Sequence, residues 1–280
     1  MKEKIICFGA REYEKPYFEK LGKKYDYDLI LRPEYLNNSN YELALGYKIV
    51  MVRGNCVVDR EHLKLLHDAG LRYYLTRTAG YNHVDVAACK ELGIETAYVP
   101  GYSPNAISEL ALTLAMSLLR NVVYSTDQTH NGHFKVTNQM FSREVRGCTV
   151  GILGCGRIGT TTASLFKGLG AKVIGYDVYQ SDKAKEVVEF VDLDTFLKES
   201  DIVICHMAYI KGKNDKFIDE SKIAKMKKDA ILINVARGEV LDTEAAINAV
   251  KNGHLAALGL DVIEKESTLF NKDFDPKHMD

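Results

Sequence analysis

Three glycines, Gly154, Gly156 and Gly159, stand between an apolar run at 150–153 and a helix-like segment that continues to Leu169. Each has a separate use in a phosphate-binding turn. The first allows a tight bend, the second lets the backbone approach a pyrophosphate, and the third lets the helix pack on the strand. The N–H groups that open the helix, at Arg157 and Ile158, and its positive dipole end suit an anion. A second apolar run, 172–176, stops at Asp177, about where a ribose 2′-OH would need an acceptor. A carboxylate there repels a 2′-phosphate, and Val178 and Tyr179 supply no cation to hold one. The combination of strand, glycines, helix, strand and acid reads as a site for NAD rather than NADP.

Other chemistry-bearing residues also fall where apolar runs end. In the second half these ends read Cys205-His206-Met207, Asn234-Val235-Ala236-Arg237-Gly238 and Asp261-Val262-Ile263-Glu264-Lys265-Glu266. In the first half they read Arg53-Gly54-Asn55 and Arg77-Thr78-Ala79-Gly80. Open α/β sheets bind ligands beyond the carboxyl ends of their strands. A histidine, several arginines and several carboxylates there are more than solvent-facing loops require.

The elements that must position these residues alternate. Strands are expected at 5–8, 27–31, 48–52, 73–76 and 95–99, with helical signals at 17–24, 40–45, 59–68 and 84–92 and caps at Asp59 and Asp85. A second series begins near Val145 and continues past Asp177 with helices at 193–199, 221–226 and 243–251 and strands at 202–205, 230–235 and 257–262. Alternating units imply parallel sheets covered on both faces, here two doubly wound α/β domains. Two prolines and a glycine punctuate the join at 99–106. The following helix carries Ile107, Leu110, Ala111, Leu114 and Leu118 on one stripe, suited to an interface or simply to core packing.

Of the 280 residues 46% are hydrophobic and 27% charged, with a net charge of −1, so no basic field points to nucleic acid or anionic membrane. The six cysteines form no CxxC pair, which argues against disulfides and zinc and for a reducing cytoplasm. No apolar stretch approaches membrane-spanning length.

The stretches TRTAGYNHVD (76–85), VPGYSPNAISELA (99–111), GILGCGRIG (151–159), NVARGEVLDT (234–243) and LGLDVIEKE (258–266) together resemble the D-2-hydroxyacid dehydrogenase family. The resemblance implies a flavodoxin-like substrate domain over 1–101, a Rossmann NAD domain over 102–280, an active-site cleft between them and a homodimer. It implies that Arg237 binds the substrate carboxylate and polarises the 2-oxo group, as a guanidinium fork can. Backbone N–H groups near Ala79 and Gly80 would hold the same carboxylate, with Tyr102 hydrogen-bonding near it. Asp261 would face the nicotinamide carboxamide, and Glu266 would orient the acid/base histidine, leaving Glu264 as a solvated charge. His206 would lie along the cofactor cleft, although a purely structural strand-end histidine fits the sequence as well.

Two features bear on how far the resemblance reaches. The family's acid/base histidine follows a later strand, and its final helix returns to the first domain. The present sequence ends before both, with His278 in a polar tail, and the reading adopted is a truncated chain rather than an inactive one. Arg53 bears on the substrate, because VRGNC (52–56) resembles the (R)-2-hydroxyglutarate dehydrogenases. A second fixed guanidinium would serve a second carboxylate, as in 2-oxoglutarate. Arg77 is a further candidate cation. A D-lactate or D-2-hydroxyisocaproate dehydrogenase is the alternative enzyme, and an NAD-sensing binding protein the alternative of another class.

Overall fold

Short β-branched runs closed by glycines and capped by aspartates set the elements of the computed structural model, which describes residues 2–101, 103–266, 269 and 274. The chain divides into two compact units, Met1–Tyr102 and Ser103–Asp280.

The first unit runs β1 (Glu3–Cys7), α1 (Lys15–Tyr25), β2 (Tyr27–Leu31), β3 (Ile49–Val52), α2 (Arg60–Asp68), β4 (Tyr73–Thr76), α3 (Val86–Leu92) and β5 (Glu95–Ala97). Its strands pair in parallel in the order β2-β1-β3-β4-β5, the flavodoxin-like arrangement. The order reverses between β1 and β3, so the loops carrying Gly9 and Arg53 open at the switch point. Asp59 and Asp85 cap α2 and α3, accepting from the N–H groups of His62 and Ala88. The helix expected at 40–45 is a single 3-10 turn, Tyr41–Ala44, because the chain must bend at Gly46, whose φ is +78. Val50, Val52, Leu63, Leu66 and Tyr74 fill the core beneath α2 and α3.

The second unit runs α4 (Pro104–Leu119), α5 (Val122–His130), β6 (Thr149–Leu153), α6 (Arg157–Gly168), β7 (Lys172–Tyr176), α7 (Asp182–Lys185), β8 (Glu189–Phe190), α8 (Leu193–Glu199), β9 (Ile202–Cys205), α9 (Glu220–Lys225), β10 (Ala230–Asn234), α10 (Thr243–Lys251) and β11 (Leu255–Leu260). The sheet order is β11-β10-β9-β6-β7-β8, all parallel, which is the Rossmann order with its switch point between β6 and β9. Of the apolar stripe of α4, Ala111 is fully buried while Ile107, Leu110, Leu114 and Leu118 are half-buried; the helix packs on α6, β10 and β11. The short pieces α7 and β8 escaped the sequence reading because four and two residues are too few to show a period. All six cysteines are free and buried. No single described helix is long and apolar enough to cross a membrane.

Candidate active site

Beyond β6 the chain must turn sharply before α6 can begin. Gly154 makes the turn with φ +91 and lies so close to the end of β9 that a Cβ would sit 2.7 Å from the Met207 backbone. Gly159 is pinched from the other side, where a Cβ would collide with the Gly154 carbonyl. At Gly156 a Cβ would meet nothing within 4 Å. The space a pyrophosphate needs is therefore beside the second glycine, at the first turn of α6. No side chain caps α6, as none caps α1 or α5, whereas the other α-helices each have a side-chain cap. Asp177 ties the turn to β7: its Oδ2 accepts from Cys155 N–H at 2.6 Å and its Oδ1 from Tyr179 N–H at 2.9 Å. Each oxygen retains a lone pair for a ribose hydroxyl, while the charge disfavours a 2′-phosphate.

His206 follows β9, but its ring is turned toward α6. Nε2 lies 2.8 Å from Thr162 Oγ1, and the Thr162 hydroxyl in turn donates to Ile158 O at 3.2 Å. The ring is therefore the Nε2–H donor, and burial pushes its pKa down to about 4. Its side chain clamps α6 to β9, while the backbone of His206 and Met207 forms the wall against Gly154.

Beyond β10, buried Asn234 builds the turn that presents Arg237. Its Nδ2 donates to Arg237 O at 2.9 Å, and its Oδ1 accepts from Ala236 N–H at 3.1 Å. Arg237 is exposed, with one hydrogen bond from Nη1 to Ala236 O at 2.6 Å. Gly238 lets the loop after β11 press on this turn, since a Cβ would collide with the Ile263 carbonyl. That contact brings Glu266 into the field of Glu239, Arg237 and Asp261. Burial first, then Glu239, raises the Glu266 pKa above its ordinary value, with Arg237 opposing. Glu264, expected as a solvated charge, instead accepts from Thr243 N–H at 3.4 Å and lies 3.9 Å from Lys216 Nζ. Tyr102 and His278 lie outside the described residues.

In the first unit, Arg53 follows β3 at the switch point. Its Nη1 lies 3.9 Å from Glu14 Oε2, too far for a hydrogen bond, and that nitrogen has no hydrogen-bond partner among the described residues. Arg77 is different: it donates to Glu14 Oε1 at 2.7 Å and to Phe8 O at 3.0 Å, and lies over the Phe18 ring at 5.1 Å. It is committed within the fold, so it is a poor candidate for a substrate cation. No acceptor among the described residues meets the N–H groups of Ala79 and Gly80, as a carboxylate cradle requires. Glu14, Arg11 and Tyr35, which complete this edge, were missed from the sequence. Arg11 and Tyr35 also lie beyond strand ends, so the rule that singled out Arg53 could have found them.

The model of the D-isomer specific 2-hydroxyacid dehydrogenase NAD binding domain matches residues 112–278. The chain belongs to this family. It is 38% identical over 269 residues to an aromatic 2-oxoacid reductase of Clostridium sporogenes, covering 96% of this chain and 81% of the reductase. Among solved structures it is similar to a D-lactate dehydrogenase of Treponema pallidum, with a TM-score of 0.84, 36% identity, and 96% and 82% of the two chains covered. A D-lactate dehydrogenase of Lactobacillus jensenii with NAD+ gives a TM-score of 0.83 at 34% identity over 99% and 84% of the chains. The chain is accordingly an NAD-dependent oxidoreductase acting on the CH–OH group of 2-hydroxy acids.

Proposed function

We propose that the protein interconverts 2-oxoglutarate and (R)-2-hydroxyglutarate. The observation that supports this substrate is Arg53, a guanidinium at a sheet switch point whose nearest carboxylate stands beyond hydrogen-bond distance. A diacid supplies the missing acceptor. The turn at Gly154, Gly156 and Gly159 with Arg157 and Ile158 would hold NADH, with Asp177 at the ribose and Asp261 at the carboxamide, and the cofactor would supply the hydride for the 2-oxo carbon.

In this reading Arg237 takes the carboxylate next to the reacting carbon and polarises the 2-oxo oxygen, with the N–H groups of Ala79 and Gly80 on the same carboxylate. Arg237 cannot donate the proton that the forming alkoxide needs. Glu266 has its carboxyl held above the ordinary value, which suits a partner that steadies a neighbouring proton donor. Arg53 would read the second carboxylate, and Tyr102 would bond near the first.

A second reading, reduction of an aliphatic or aromatic 2-oxo acid, is favoured by what the relatives are named for. NADH oxidation across 2-oxoglutarate, pyruvate, 2-oxoisocaproate and phenylpyruvate separates them. The highest kcat/KM with 2-oxoglutarate is expected; a higher value with any monoacid selects the second reading.

A cytoplasmic homodimer completes the proposal. Phe134, Val136 and Phe141 are 79%, 76% and 73% exposed, an apolar surface that a second copy would cover, and six buried free thiols suit a reducing compartment. Light scattering at micromolar concentration should return twice the chain mass.

A further inference from the structure

Gly9, Tyr35 and Arg53 meet where the sheet order of the first unit reverses. A Cβ on Gly9 would lie 3.0 Å from the Tyr35 ring and 3.3 Å from Arg53 Cβ, so the two side chains flank one backbone position. The loop after β1 is stitched to the segment after β2 by Gly9 N–H to Glu34 O at 2.9 Å and Ala10 N–H to Arg32 O at 2.8 Å. The Tyr35 ring packs against the core of this unit, which fixes where its hydroxyl emerges.

That hydroxyl accepts a hydrogen bond from Arg11 Nη2 at 2.9 Å. A phenol that accepts from a guanidinium still carries its own proton, and none of the described residues takes it. The neighbouring cation polarises the O–H bond and makes it a better donor toward an anion. Glu14 completes the arrangement: its Oε2 accepts from Arg11 N–H and its Oε1 from Arg77, each at 2.7 Å. Burial raises the Glu14 pKa, but the Arg11 N–H and Arg77 outweigh it and hold the carboxyl below its ordinary value. Glu14 thus stays ionised and absorbs Arg77, leaving Arg53 Nη1 and the Tyr35 hydroxyl without a hydrogen-bond acceptor among the described residues. Two unsatisfied donors, one charged and one neutral, suit the two oxygens of a carboxylate.

We infer that Tyr35 is a specificity-determining residue, forming with Arg53 the subsite for the carboxylate of the substrate distal to the reacting carbon. Arg11 and Glu14 are positioning residues for it. The inference rests on the proposed diacid substrate and adds a residue that the activity class does not require.

The test is isothermal titration of 2-oxoglutarate, and of 2-oxopentanoate of the same length without the distal carboxylate, into protein saturated with NAD+, which can reduce neither acid. Tyr35→Phe keeps the packed ring and removes only the hydroxyl. It should weaken 2-oxoglutarate by about tenfold, the size of one hydrogen bond to a charged group, and leave 2-oxopentanoate within about twofold. Arg53→Met should show the larger selective loss, and an unchanged thermal midpoint of Tyr35→Phe will show that the ring has stayed in place. If Tyr35→Phe weakens both acids equally or neither, while Arg53→Met remains selective, the role of Tyr35 is overturned and the diacid reading stands. If the unsubstituted protein does not prefer 2-oxoglutarate and Arg53→Met changes nothing, both fall together.

Discussion

Replacing Gly156 by alanine should separate cofactor binding from folding. Gly156 has φ −69, which alanine adopts freely, and its Cβ would meet no protein atom within 4 Å. Losing glycine at a helix N-cap costs about 0.5–1 kcal/mol, and the reduced freedom of the unfolded chain returns about as much. The net change in stability should therefore stay within about 1 kcal/mol. A methyl group in the space a pyrophosphate needs is an overpacking penalty of roughly 1–3 kcal/mol, or about 5- to 150-fold in NAD affinity. Gly159→Ala is the contrast, because its Cβ meets the rigid Gly154 carbonyl rather than open space. Applied to the fold, the upper end of that penalty is about 3 kcal/mol, which lowers the thermal midpoint of a unit this size by roughly 6–12 °C. Circular-dichroism melting and NADH fluorescence titration of both variants make the comparison. Unchanged NAD affinity in Gly156→Ala would refute the placement of the pyrophosphate, and an unchanged midpoint in Gly159→Ala would refute the packing argument.

Three further outcomes follow from the second unit. Asp201 is 5% exposed and accepts from Arg143, Lys227 and Thr149 N–H, each at 2.8 Å, so Asp201→Ala should cost about 2–4 kcal/mol in urea unfolding, discounted for its half-exposed cations. Burial raises its pKa, but these donors bring it below the ordinary value, so its contribution is present above the unfolded pKa of about 3.9 and fades as pH falls through the folded value. His206, with a folded pKa of about 4, should contribute stability that is full above the unfolded value near 6.5 and lost as pH falls toward 4. That loss is on the order of 3 kcal/mol by urea titration at stepped pH, and His206→Gln should flatten it. Glu239→Gln removes a negative neighbour of Glu266, so the acid limb of the kcat/KM profile should move to lower pH; an unmoved limb means that Glu266 does not set it.

Periodicity and turn chemistry carried most of the fold. Buried parallel strands such as 150–153 and 202–205 read as unbroken apolar runs, and Asp59 and Asp85 cap helices as their positions suggested. What the sequence made legible of the candidate site was position: Gly154, Gly156 and Gly159 in the turn after β6, Arg53 beyond β3 and Arg237 beyond β10. The site was not legible where the role depends on direction. The ring of His206 points to Thr162, Arg77 is committed to Glu14, and Glu264 holds the N-terminus of α10, none of which spacing along the chain encodes. Glu14 was missed because it acts on Arg77, distant in sequence, which a strand-by-strand reading keeps apart, whereas Tyr35 stands beyond a strand end where that reading could have found it.

The central claim is that Arg53 reads a second carboxylate. The ratio of kcat/KM for 2-oxoglutarate to that for 2-oxopentanoate, measured for the unsubstituted protein and for Arg53→Met, tests it most directly. A buried hydrogen bond to a charged group predicts a fall in that ratio of about 10- to 100-fold, carried by 2-oxoglutarate alone. An equal loss with both acids, or none with either, would contradict the claim.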